Sequence, residues 1–207
     1  MRSKTLKKAV RRQPQQRRAR QTVEAVLEAV VRIVKRDGIK AVTTNRVAEI
    51  AGVSIGSVYQ YFPDKRAMFV ALHQRHIEEI DRLMNRTIVE HAHSSLAGLI
   101  RAVFDAMIDA HASDPEYSGV IFSEIPHRPE GTHDFAVRLH GVFRLALASK
   151  SSELKGHRDL DKATFVVANM IDALAHGAVL RRPPGLSLAA AKEEAVRAVL
   201  TYLTGRS

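Results

Sequence analysis

The sequence predicts an all-α protein of about nine helices, a reading that rests on three observations. Apolar residues recur every three or four positions from Val23, Val26, Leu27 and Val30 through to Val196, Val199, Leu200 and Leu203, the period of helices that bury one face. Hydrophobic residues make up 45% of the 207-residue chain but aromatics only 5%, so the core must be aliphatic and alanine-rich, as between packed helices. No segment alternates in the manner of a convincing strand.

Residues 1–15 are polar and basic and are broken by Pro14, so they are expected to form a disordered arm. The first helix is expected over 16–37, with Val26, Val30, Ile33 and Val34 inward and Gly38 as its stop. Thr43 and Thr44 supply a hydroxyl cap for a short helix to Ala51, with Val47, Ala48 and Ile50 apolar. Gly52 can take the left-handed conformation that ends it. Ser54 caps a second short helix, 55–61, whose inward residue is Val58. Phe62-Pro63-Asp64 breaks the chain, and Asp64 caps a long helix to about residue 91 with Phe69, Leu72, His76, Ile77, Ile80 and Met84 on one stripe. A fifth helix covers 95–112. Asp114-Pro115-Glu116 begins a short sixth, since proline suits the first helical position. Further helices are expected at 132–152, 160–181 and, after Pro183-Pro184-Gly185, 187–204.

The segment 43–65, TTNRVAEIAGVSIGSVYQYFPDK, reads as a helix-turn-helix. Small Ala48, the turn glycine Gly52 and inward Val58 have the spacing that two short helices crossing at a tight turn require. The outward residues of the second helix, Ile55, Gly56, Ser57, Tyr59 and Gln60, are small or hydrogen-bonding and uncharged, which suits a helix lying against base edges. Charge agrees. Residues 1–20 carry nine Lys/Arg and no acid, residues 1–66 are net +11, and residues 67–207 are net −1. That asymmetry points to a polyanion at the N-terminal end, with a solvated tail as the plainer explanation of the first fifteen residues alone.

Other functions lack their signatures. Gly52-Val53-Ser54-Ile55-Gly56 matches the G-x-S-x-G of a nucleophile elbow, but that motif needs a strand before the serine, and a helix is expected there. No P-loop, G-x-G-x-x-G or H-E-x-x-H is present, so no enzyme is expected. With no cysteine there is no disulfide or thiolate chemistry. Ten histidines include no set with converging metal-ligand spacing, so no metal and no cofactor are expected. No apolar run approaches transmembrane length and no signal-peptide pattern follows the basic start. A cytoplasmic protein without a membrane role is expected.

The helix at 160–181 is apolar nearly all round, with Phe165, Val166, Val167, Met170, Ile171, Leu174 and Val179. Such a helix is buried on every side, either at the centre of a monomer or between its own domain and a second copy. The 187–204 helix adds a stripe of Leu188, Val196, Val199, Leu200 and Leu203, and the two together could form a four-helix homodimer interface.

The stretch GIKAVTTNRVAEIAGVSIGSVYQYFPDKRAMFVAL, within residues 20–75, resembles the signature of tetracycline-repressor (TetR) family regulators: the glycine and paired threonines, Ala51-Gly52-Val53-Ser54, Gly56-Ser57, Tyr59, Tyr61-Phe62 and Lys65 coincide. The resemblance implies an all-α homodimer with a DNA-binding domain at 16–66 and an effector-binding and dimerisation domain at 67–207. It implies a repressor on a palindromic operator in double-stranded DNA, released by a small-molecule effector; a helical interaction or small-molecule-binding module that does not act on DNA is the alternative. By resemblance, Thr44, Tyr59 and Lys65 are positioned for phosphates and Asn45 stands at a base-reading or edge position, with Thr43 beside them among the DNA-binding residues. Ser54, Ile55, Gly56, Ser57, Gln60 and Tyr61 would meet the groove, Gln60 being able to pair with adenine N6 and N7 together. Phe62 is expected to pack between helices instead. Effector-pocket candidates are Phe104, Met107, His111, Phe122, Phe143, Asn169, Asp172 and His176. The last three are polar residues on an otherwise apolar helix, and they could equally bond across the dimer.

Overall fold

The computed structural model describes residues 3–113, 118–119, 132–155 and 159–205, with side chains from residue 17 onward except 132–136. Among the described residues there are eight α-helices and no strand: α1 (Ser3–Asp37), α2 (Thr44–Ala51), α3 (Ile55–Tyr61), α4 (Lys65–Glu90), α5 (Leu96–Ala112), α6 (Thr132–Ala148), α7 (Leu160–Leu180) and α8 (Leu188–Thr204). The helix expected at 114–126 falls almost wholly outside the described residues; Ser118 and Gly119 are helical. Where an arm without regular structure is expected, the backbone of 3–15 continues α1 through Pro14.

The helix ends follow local chemistry. Gly38 sits at φ 77°, ψ 168° after α1, and its N–H donates to the Val34 carbonyl; a side chain with a Cβ resists that positive φ. Ser95 caps α5, Asp159 caps α7 and Ser187 caps α8, each accepting from backbone N–H groups of the first turn. The α5 N-terminus has a second acceptor from far along the chain: both carboxylate oxygens of Glu153 accept from the Leu96 N–H, at 3.0 and 3.1 Å. Three residues before it, Lys150 donates to the Ala92 carbonyl at 2.6 Å, so the turn after α6 is fastened to the entry of α5.

The described chain forms two compact units, one up to His73 and one from Gln74 onward. In the first, α1 packs on α2 and α3 and buries Val26, Val30, Ile33 and Val34, while α2 and α3 bury Val47, Ala48 and Val58. The second unit is built around α7, which packs against α5, α6 and α8. Its core joins Met84, Leu99, Val103, Phe104, Phe143, Leu147, Val167, Ile171, Val196, Val199 and Leu203.

Two expectations change here. Helix α7 is long and apolar enough to cross a membrane by length and composition, although no apolar run of that kind is expected from the sequence. Its Ala163, Val167, Ile171, Ala175 and Ala178 are instead buried in the core. The α8 stripe of Val196, Val199 and Leu203 is also buried within the subunit, so those side chains are not the ones available to a second copy.

Phe104 has no exposed surface. Phe104→Ala should lower the unfolding free energy by about 3–5 kcal/mol through lost burial and the cavity left behind, a loss that denaturant titration followed by circular dichroism would measure.

Candidate nucleic-acid interface and effector core

The two short helices are set by caps that the turn itself provides. Thr43 accepts from the Arg46 N–H at 3.3 Å. Gly52 closes α2 at φ 66°, ψ 31°, its N–H reaching the Ala48 and Glu49 carbonyls, and the Val53 N–H donates to Ala48 at 3.0 Å. Ser54 then accepts from the Ser57 N–H at 3.1 Å, and the two serine hydroxyls lie 2.8 Å apart. Ser54 therefore follows a helix and works as a cap, and the G-x-S-x-G resemblance to a hydrolase elbow has no strand to stand on.

This geometry leaves one face of α3 open. Val58 has no exposed surface, while Tyr59 is 54% exposed and Ile55 38%; Gly56 and Gln60 are also exposed, with Ser57 and Tyr61 half-buried. Thr43 and Asn45 are exposed and Thr44 half-buried at the start of α2. Lys65, exposed, is the first residue of α4, whose N-terminus is capped by Asp64 accepting from the Ala67 N–H at 2.8 Å. Phe62 is buried, in its expected packing role. The uncharged outward face of α3 thus lies between hydroxyl and amide groups on one side and a lysine at a helix start on the other in sequence order. Such groups can bond phosphates and base edges without bringing a negative charge.

The proposed effector residues separate into two groups. Phe104, Met107, His111, Phe143 and His176 are buried, whereas Asn169 and Asp172 are exposed; Phe122 lies outside the described residues. Asn169 spends its amide locally, donating to the Phe165 carbonyl at 2.7 Å. The His176 Nδ1 lies 2.7 Å from the Asp172 carbonyl oxygen and 3.3 Å from its carboxylate. A carbonyl only accepts, so Nδ1 carries the proton.

A third imidazole joins these two. The His111 ring lies 4.0 Å from that of His176 and 5.4 Å from that of His76, centroid to centroid, bringing α4, α5 and α7 together through histidines. His76 fell on the inward stripe of α4 in the sequence but had no partner visible there. Among the described residues no group of three or more His, Cys, Asp or Glu has the arrangement of a metal site. A separate open groove of about 470 Å³ is lined by Asp81, Asn85, Arg138, Gly141, Val142, Arg144 and Leu145; none of the proposed effector residues lines it.

Burial, followed by the neighbouring His176 and His76, pushes the His111 pKa down to about 3, with Asp172 opposing. In the unfolded chain a histidine titrates near 6.5. Between those values the unfolded state binds a proton that the folded state does not, so this contribution is fully present above about pH 6.5 and is lost as the pH falls toward 3. The unfolding free energy should drop by about 2 kcal/mol between pH 7 and pH 5 from this residue. His111→Leu should flatten that part of the profile in denaturant melts at the two pH values.

Comparison with known proteins places both units. Residues 26–72 match the model for bacterial regulatory proteins of the tetR family, and residues 95–203 match the tetracyclin repressor-like C-terminal domain. The nucleoid occlusion factor SlmA of Actinobacillus pleuropneumoniae is 29% identical over 99 residues, 47% of this chain and 48% of that protein. The match thus spans about half of that relative's length. The HTH-type transcriptional repressor KstR of Mycolicibacterium smegmatis is 36% identical over 67 residues, 32% of this chain and 33% of the relative. Among solved structures, FadR from Bacillus subtilis in complex with stearoyl-CoA aligns with a TM-score of 0.68 at 18% identity, over 89% of this chain and 99% of that one.

Proposed function

This chain belongs to the TetR family of bacterial regulatory proteins, and on that premise we propose that it is a ligand-responsive transcriptional repressor that binds a palindromic operator as a homodimer. The single observation that carries the reading is the open, uncharged face of α3, held by the Thr43, Gly52 and Ser54 caps on a unit with the chain's positive charge. Tyr59, Thr43, Thr44 and Lys65 serve phosphates in this reading. Asn45, Gly56, Ser57, Gln60 and Tyr61 meet the groove, Ile55 offers an apolar contact, and Ser54 sets the helix start. The basic residues before position 21 add contacts to the polyanion. The protein acts in the cytoplasm and catalyses no reaction.

The buried cluster of Phe104, Met107, His111, Phe143 and His176 supports an effector site in the second unit. FadR, a structural neighbour, holds stearoyl-CoA; here the effector is a small molecule that inserts among these side chains and shifts the population of DNA-competent conformations. A systematic selection of bound DNA sequences tests the function directly. It should return an inverted repeat with half-sites about one helical turn apart, roughly 34–36 Å, or a multiple. A monomer bound to a single unrepeated site contradicts it.

Readout and anchoring separate by mutation. Gln60→Ala should relax preference at one position of each half-site, at a cost on the order of 1–3 kcal/mol against the right base. Tyr59→Phe should weaken binding to all sequences alike, since a phosphate contact carries no base identity. Binding titrations on operator and mismatched duplexes would tell the two patterns apart.

The exposed side of α7 supports the dimer: Phe165 is 61% exposed, and Asn169 and Ala173 are exposed beside it in helical register. On α8, Ala190, Glu194 and Ala198 are the exposed counterparts. Phe165→Glu should leave the fold intact and yield a monomer with only nonspecific DNA binding. Ile171→Glu, at a core position 2% exposed, should prevent folding. Light scattering with circular dichroism distinguishes these outcomes, and a Phe165→Glu dimer would remove this face from the interface.

A further inference from the structure

Arg46 is the third residue of α2, three positions after the Thr43 cap. An acid is the residue that completes a reciprocal cap at this place, and an acid also suits the positive end of a helix. This chain has an arginine there, a cation at the electrostatically wrong end.

The compensation comes from another helix. Asp37, the last residue of α1, accepts from Arg46 Nη2 at 2.6 Å and from Arg36 Nε at 2.8 Å. Two guanidiniums share one carboxylate, so the group keeps a net positive charge, and Lys35 and Lys40 flank it in sequence. Arg36 above all, then Arg46, holds the Asp37 carboxyl below its ordinary value, against the opposing effect of burial. The Arg46 side chain is still 33% exposed, and its backbone N–H bonds the hydroxyl of Thr43, one of the residues assigned above to phosphate. Among the described residues Arg46 makes side-chain bonds to Asp37 alone, leaving donors of a guanidinium fork that matches a phosphate.

Resting on the DNA-binding reading above, we propose that Arg46 is a phosphate contact of this domain and that Asp37 is its resident counter-ion, holding the guanidinium in the first turn of α2 until a DNA phosphate displaces the carboxylate. Asp37 is then a positioning residue whose negative charge also limits affinity for DNA in general. Arg46 reads no base.

The experiment is a salt series of binding titrations by fluorescence anisotropy, on a duplex selected by the wild-type protein and on an unrelated duplex, with thermal melts of every variant. The wild type comes first: absence of salt-dependent binding to its selected duplex defeats the DNA-binding reading itself. Given wild-type binding, Arg46→Gln should weaken both duplexes by about tenfold and make the slope of log K against log salt shallower by about 1 per subunit. Arg46→Lys should keep most of the slope, since the charge remains. Asp37→Asn should do the reverse of Arg46→Gln, tightening both duplexes and steepening the slope. Arg46→Gln with the wild-type slope and a lowered melting temperature would make the pair a purely structural strut and overturn the proposal. So would a changed sequence preference, or weaker binding by Asp37→Asn. If Arg46→Gln does not fold, Arg46→Lys and Asp37→Asn decide the matter by the same slopes.

Discussion

Helix α7 touches α5, α6 and α8 at once, and this is possible because most of its inward residues are small or branched and apolar, with Thr164 and His176 the buried polar ones. Ala163, Val167, Ile171, Ala175 and Ala178 form that face. Three helices can approach one axis closely when the side chains between them are short, and each approach removes apolar area from water. Phe104, Leu147 and Leu203 supply the bulk that fills the space around them. Polar backbone ends are kept out of this interior by side-chain caps, including Glu153, which reaches the start of α5 from 57 residues away.

The N-terminal unit depends on a different constraint. Its helices α2 and α3 have eight and seven residues, too short to persist alone. They are held by burying Val47, Ala48 and Val58 against α1 and by a cap at each end. A side chain with a Cβ at Gly52 would resist the left-handed turn. The same economy of contact explains why so much of α3 is open: one inward residue suffices, and the others are free for a partner.

Much of this was legible because it is local. The bounds of α2 and α3 agree with the caps at Thr43 and Ser54 and the stop at Gly52, each a matter of a few consecutive residues. The outward residues of α3 could be listed for the same reason. Contacts over longer separations were not legible. Nothing in the sequence pairs Asp37 with Arg46, nine residues apart across a turn, or Glu153 with Leu96. His76 and His111 appear only as inward positions on two stripes until folding sets the His111 ring between those of His76 and His176, tilted to both.

Helix α7 marks the division most sharply. Asn169, Asp172 and His176 have spacings of three and four, and so share one side of the helix. The sequence established that these polar groups sit together on an apolar helix, that the chain is all-helical, and that its positive charge lies with the helix-turn-helix. Periodicity, capping chemistry and charge are properties of neighbouring residues, so they survive without coordinates. Which part of that α7 face is covered was decided by tertiary packing alone: Asn169 and Asp172 remain exposed, while one turn further on His176 is buried against His111. The packing of α5 against α7 fixes that depth, and no local pattern encodes how far along a helix its neighbour extends.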